Sequence, residues 1–467
     1  MRKDMHKILF VGTIVVLALL LVQTFTSIVH VKPLAGVTVE TEKPKLTLAN
    51  YADGSFQNDL ENYCREHCGF REWFIRVYNQ FRWSLFRETG NATVMRGKDN
   101  WLFEDVYVRD HYESLMYKYT DDTAGMRTVC ETDALRLWKV QQLLEELGVH
   151  IFVNINPGKD VIYPEFLPEN RSFTHPEGFR AYDFYIKRFD ELGIHYIDNV
   201  AIFKEMKGSV DYPLFYEKGT HWSNIASVHV FDSVLRYMEA LGGQRLHRLE
   251  IGEKYQAKAR KPDKDLEELL NLVFPMKSSP YWYVDVNVRA DSMADKPVFL
   301  TIGDSYFWNF TSSVPFQDLF RYYPYWYYNY MVYFDSANTS TLDLNLEQEL
   351  MRADYIMLNY GTASLYELGS RFLPRALLHL CYDKSSIDAA AARLINHIKS
   401  DSERYASIKK DVERNHEDLE EALYRIAIYL ISENPEDYLE DLQGHKMPVS
   451  RNKDLVILRE ELRKSTR

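Results

Sequence analysis

A serine directly after a Gly-Asp turn closes an apolar, β-rich run in Val298-Phe299-Leu300-Thr301-Ile302-Gly303-Asp304-Ser305-Tyr306-Phe307. That order predicts a Ser305 hydroxyl at the carboxyl edge of a buried strand, beside a helix N-terminus. Backbone N–H groups there stabilise a developing oxyanion. Asp304 and Ser305 are also ordinary helix-capping residues, so the chemistry depends on a partner. A hydroxyl is a weak nucleophile until a base removes its proton, and histidine is the usual base near neutral pH. Among the 14 histidines, His221 stands out in Gly219-Thr220-His221-Trp222-Ser223, a turn just after Phe215-Tyr216. A helix is expected to begin near Asn224, and Trp222 can wall one side of a pocket.

These residues need a scaffold. Ala134 to Leu147 reads as an amphipathic helix stopped by Gly148, running into the strand His150 to Ile155. That strand is apolar enough to be buried on both faces, and Asn156-Pro157-Gly158-Lys159 breaks it. A helix over Tyr182 to Leu192, a strand over Ile194 to Ile197 and a helix over Asn224 to Leu241 follow. Strands at Val298 to Ile302, Met331 to Phe334 and Tyr355 to Leu358, with a helix across Leu344 to Arg352, complete the alternation. Such alternation predicts an α/β fold with parallel strands and flanking helices, whose sites gather at the carboxyl ends. Lys159, Ser305 and Asn359-Tyr360 all follow closely after such strands. Upstream, Phe56 to Phe86 is helix-periodic, and Gly97 to Phe103 looks like a hairpin entering a strand. Ile251 to Lys296 reads as an excursion from the sheet. Ser385 to Arg467 is charged and helix-periodic, with breaks near Asn434-Pro435 and Pro448, and is expected to be a helical appendage packing through Leu423, Ile426 and Leu430.

A formal net charge of -12 argues against general affinity for nucleic acid backbones. Cys64 and Cys68 sit one helical turn apart, a poor spacing for a strain-free bridge, and His67 between them has no second ligand cluster. Buried free thiols and no metal are therefore expected. Arg2, Lys3 and Lys7 precede an uncharged apolar stretch from Ile8 to Val29, long enough for one membrane span. The positive flank puts the bulk of the chain outside the cytoplasm. A cleaved signal peptide is the competing reading, but no Ala-x-Ala site follows. The resulting division is 1–30 anchor, 31–50 stalk, 51–384 catalytic domain and 385–467 helical region.

Gly97-Lys98-Asp99-Asn100-Trp101-Leu102-Phe103, Pro157-Gly158-Lys159 with Tyr163-Pro164-Glu165, Thr220-His221-Trp222 and Gly303-Asp304-Ser305-Tyr306-Phe307 occur in an order that resembles the alginate O-acetyltransferase AlgX/AlgJ type proteins. These are SGNH hydrolase-like, and the "DHHW" proteins belong to the same group. The resemblance covers roughly residues 50 to 370. It implies an SGNH/flavodoxin-like sheet outside the cytoplasm and transfer of acetyl groups to an exported or cell-envelope polysaccharide. Ser305 takes the nucleophile position and His221 the base position, with Trp222, Lys159, Asn359 and Tyr360 expected to bind substrate. It also implies a multi-pass membrane acyltransferase as donor partner, with no cofactor, because acyl transfer needs only nucleophile, base and oxyanion donors.

One position departs from the family pattern. The orienting aspartate two residues before the histidine is replaced by Gly219. Neutralising the equivalent carboxylate in serine proteases costs roughly 10⁴ in turnover. Asp211, Glu217 or a backbone carbonyl are the nearby substitutes, and Gly219→Asp is expected to raise turnover if none replaces it. The alternative function is a catalytically impaired glycan-binding or assembly protein, with Trp222, Tyr306, Trp308 and Tyr360 as an aromatic rim.

Overall fold

The computed structural model describes residues 2–36, 41–115, 122–168, 179–289, 291–334, 339–369, 371–415, 417–439 and 449–465. Its strands are β1 (Val94–Arg96), β2 (Leu102–Glu104), β3 (His150–Asn156), β4 (Tyr196–Asp198), β5 (Arg248–Ala257), β6 (Tyr281–Arg289), β7 (Phe299–Gly303), β8 (Tyr325–Tyr327), β9 (Met331–Tyr333) and β10 (Tyr355–Gly361). Six of them form the central sheet in the order β4-β3-β10-β7-β8-β9, parallel throughout except for β9. β10, last in sequence, is inserted between β3 and β7, so their carboxyl ends lie side by side.

The apolar runs of β3, β7 and β10 are continuous because both faces of the sheet are covered. Side chains alternate between faces with a period of two. Ile151, Val153 and Ile155 of β3 join Leu300, Ile302, Ile356 and Leu358 under the helices Thr123–Glu145, Ala181–Leu192 and Phe372–Cys381. Phe152, Phe299 and Met357 point to the opposite face, against the helix Asn224–Gly242. The fold is thus an α/β sandwich with a mostly parallel sheet, as the sequence predicts.

Several expected elements differ in detail. The helical stretch from Phe56 to Phe86 is two helices, Ser55–His67 and Arg71–Phe86. The excursion after Ile251 is an antiparallel ribbon of β5 and β6, with the short helix Asp265–Leu269 in its connection. Asn359 and Tyr360 lie inside β10 rather than after it. Cys64 and Cys68 are exposed free thiols, not buried ones, while Cys130 is buried. The break expected near Pro448 lies outside the described residues.

The helices Lys384–Ser400 and Leu419–Glu433 build a small core of their own from Ile387, Leu394, Leu423 and Ile431, joined to the main body through Leu378. The final helix, Val449–Ser465, returns to the amino-terminal edge of the sheet. There the buried Arg459 guanidinium donates to the carbonyls of Met351, Ala353 and Gly148 at 2.6–2.8 Å. Stripping a buried donor from several carbonyls leaves each of them undersolvated. Arg459→Met is therefore expected to cost about 3 kcal/mol, read as a lower thermal midpoint with unchanged secondary structure at low temperature.

Candidate functional site

β7 runs into the serine turn against β10. Gly303 is required there by close approach, since a Cβ would lie 1.9 Å from the carbonyl of Asn359. Asp304 then fastens the turn to the neighbouring strand. Its amide donates to Asn359 O at 3.0 Å, and its carboxylate accepts from Gly361 N at 2.6 Å and Tyr306 N at 3.1 Å. Burial holds this carboxyl above the usual carboxylate range, with the two backbone donors acting in the opposite sense. Asp304 is thus a buried strut, and Ser305 projects from the edge it fixes.

The histidine turn is built from below. Lys159 follows β3 and is buried, and its ammonium donates to the carbonyls of Tyr216 (3.2 Å), Glu217 (3.3 Å) and Gly219 (2.5 Å). Glu217 O also accepts from Leu102 N, and Lys218 O from Glu267 N. The rings of Phe103 and Trp101 face the same ammonium at 5.0 and 5.6 Å. All four carbonyls from Tyr216 to Gly219 are therefore occupied, and His221 is delivered from a rigid turn. Burial pulls the Lys159 ammonium down to about 7, against the raising effect of Asp265 and other nearby carboxylates.

The two stretches meet as the sequence suggests. His221 Nε2 lies 2.9 Å from Ser305 Oγ. On the other side of the ring, Nδ1 lies 3.2 Å from Asp265 Oδ2. An ionised carboxylate only accepts, so Nδ1 carries the proton and Nε2 is free to accept from the serine. Asp265 is fixed by its other oxygen, which receives Thr220 N and Leu266 N, each at 2.8 Å. Burial acts to lower the His221 pKa. The hydrogen bond and charge of Asp265, helped by Glu104 and Asp304, outweigh it and hold the imidazole above its ordinary value. Glu104, at the end of β2, accepts from Thr220 Oγ1 at 3.1 Å, and burial raises its own pKa. Tyr306 closes the ring edge-on, 5.0 Å from the imidazole centroid.

Neither substitute expected near Gly219 contacts His221. Asp211 pairs with Lys254, and Glu217 pairs with Lys218 and accepts from Ser279. The acid comes instead from the connection between β5 and β6, 44 residues further along. Nothing in Lys261-Pro262-Asp263-Lys264-Asp265 marks its last aspartate over the others, and the same holds for Glu104. The four residues expected to touch substrate are buried. Trp222 packs between Phe203, Tyr306 and Phe310. Asn359 joins a side-chain amide cluster with Asn154 and Asn156, Tyr360 lies in the main core, and Lys159 faces carbonyls. Each reaches the surface only through a neighbour.

Gly219 has its own reason to be glycine. It is not at positive φ, but a Cβ would lie 2.6 Å from the backbone carbonyl of Asp263. An aspartate there would push on the loop that holds Asp265. Contrary to the sequence-based expectation, Gly219→Asp should lower stability by about 1–3 kcal/mol and lower any activity of the site. A thermal melt and an ester assay on the purified variant would check both.

Residues 94–305 match the family of the SGNH hydrolase-like domain, acetyltransferase AlgX. Among solved structures, the O-acetyltransferase domain of Pseudomonas putida AlgJ is similar at 18% identity and TM-score 0.38, over 58% of this chain and 92% of that one. Pseudomonas aeruginosa AlgX is similar at 12% and 0.41, over 64% and 70%. A DHHW family protein from Eubacterium siraeum is similar at 12% and 0.30, over 50% and 85%. No curated protein matches the chain. Over residues 94–305 the chain is therefore similar to the SGNH hydrolase-like domain of acetyltransferase AlgX.

Proposed function

We propose that this protein is a membrane-anchored O-acetyltransferase that acts on hydroxyls of an exported or cell-envelope polysaccharide. The observation that carries this reading is the relay from Ser305 Oγ through His221 to Asp265 within an AlgX-type domain. In the first half-reaction Ser305 Oγ attacks the acetyl carbonyl while His221 Nε2 takes its proton. His221 returns that proton to the departing donor group, leaving an acetyl ester on Ser305. A sugar hydroxyl then gives its proton to His221, attacks the ester, and Ser305 recovers its hydrogen. The amides of Tyr306 and Phe307 already donate back to Asp304, so the oxyanion donor of this turn is the Ser305 amide itself. Lys159, Trp222, Asn359 and Tyr360 position the turns rather than touch the sugar.

The helix Arg2–Thr26 includes a span, Met5–Thr26, long and apolar enough to cross a membrane, and its basic start favours an extracytoplasmic domain. Acetyl-CoA is then out of reach, and a multi-pass membrane acyltransferase would carry acetyl across the bilayer. Anchoring raises the effective concentration of the two partners.

Ser305→Ala in the purified full chain is expected to abolish turnover of an activated acetyl ester. Unchanged turnover would overturn the assignment in favour of a non-catalytic glycan-binding protein. A second expectation follows from the His221 pKa. The base works only when neutral, so activity should fall as pH drops through a value above the ordinary imidazole pKa. Asp265→Asn removes the chief raising influence. The acidic limb should move to lower pH while turnover falls roughly 10³–10⁴-fold, and an unmoved limb would remove Asp265 from the relay.

A further inference from the structure

The helix Arg71–Phe86 shows solvent a face that a soluble domain would cover. Trp73, Phe74, Tyr78, Phe81, Leu85 and Phe86 are between 46% and 64% exposed. At about 100° per residue Trp73, Phe74, Tyr78, Phe81 and Leu85 fall within about 140° on one side of the helix, and Phe86 closes its last turn. The opposite side is the packed one. Asn79 donates to Leu270 O at 2.9 Å, and the buried Trp83 packs with Leu266 and Leu270. The loop beside it continues the apolar face with Val273 and Phe274, the latter 67% exposed, and Phe274 N donates to Gln80 at 3.0 Å.

The position of this face relative to the N-terminal helix decides what covers it. Gly69, two residues before the helix starts, abuts the span. Its amide donates to Thr24 Oγ1 at 2.8 Å, and a Cβ on it would lie 2.8 Å from Leu20 O. Leu20 and Thr24 are within the last two turns of Met5–Thr26. Arg76, one turn into the helix, donates to the carbonyls of Lys32 and Pro33, where the chain has just left the span. A helix tied at both points to the outlet of a membrane span lies at the depth of the lipid headgroups. Trp, Tyr and Phe on one face are the composition that this depth selects.

We infer that the exposed aromatic face of Arg71–Phe86, with Val273 and Phe274, lies in the bilayer interface and docks the domain on the membrane surface. The inference rests on the proposed membrane anchor and adds to it an orientation. Leu266 of the Asp265 helix and Leu270 just after it pack on the back of the docked helix. The relay would therefore stand about one helix diameter, roughly 10 Å, above the lipid surface, within reach of a membrane-embedded acyl donor.

The test uses the full chain in vesicles of phosphatidylethanolamine and phosphatidylglycerol. They carry a phospholipid with a photoactivatable diazirine near the glycerol end of its acyl chain, and adducts are mapped by mass spectrometry. Adducts are expected in 71–86 and at 273–274, in addition to 5–26. Adducts confined to 5–26 would overturn the inference and leave the anchor intact, whereas adducts in neither segment would overturn both. A Trp73→Ser, Phe74→Ser, Phe81→Ser variant should lose tenfold or more of the 71–86 labelling with 5–26 unchanged, and an undiminished yield would refute the docking. With a photoactivatable amino acid placed at residue 81 in the same vesicles, capture of a second copy of the chain in place of lipid would refute it equally.

Discussion

One buried ammonium carries the geometry of the site. Lys159 gathers the carbonyls of Tyr216, Glu217 and Gly219, and the turn they belong to ends in His221. The lysine itself is placed by β3, the strand beside β10. Ser305 is placed by β7 on the other side of that strand. The base is thus held through Lys159 from the end of β3 and the nucleophile extends from the end of β7, with β10 between them, and the two meet at 2.9 Å. A charge buried this deeply is costly unless its donors are satisfied. Here three carbonyls and two aromatic faces supply what water would have given. The orientation of the Ser305–His221 pair therefore rests on a residue buried behind it.

Much of this was legible in the chain. β3, β7 and β10 announce themselves as short apolar runs because both faces are covered, and the Ser305 stretch stands where a turn must follow β7; β8 (Tyr325–Tyr327) was not read from the sequence. What was not legible depends on contacts between distant segments. Asp265 has no local signature, since its function comes from where the β5–β6 connection folds back. Trp222, with its large aromatic surface, reads as a pocket wall but is buried entirely by Phe203, Tyr306 and Phe310. Asn359 and Tyr360 were expected after a strand, but β10 extends to Gly361 and takes them into the sheet. Gly219 looked like the loss of an acid. In the structure it is the space that lets the replacement acid approach.

The ribbon that brings Asp265 is seated by its own contacts. Tyr283 of β6 donates to Asp263, whose carboxyl burial raises to about 6, and Arg260 N donates to Tyr283 Oη at 2.8 Å. Past the short helix, Asn271 and Ala35 exchange hydrogen bonds at 2.8 and 3.0 Å. The segment expected to be a free stalk is in this way bonded to the same loop that presents the acid.

An aspartate two residues from its histidine would move with it as one piece. In this chain the two groups ride on separate pieces, so the contact between them reports how well one piece is seated on the other. The seating of the piece that carries the acid is therefore shared with the segment leaving the apolar helix, since Ala35 is bonded to Asn271 just past the acid's own short helix.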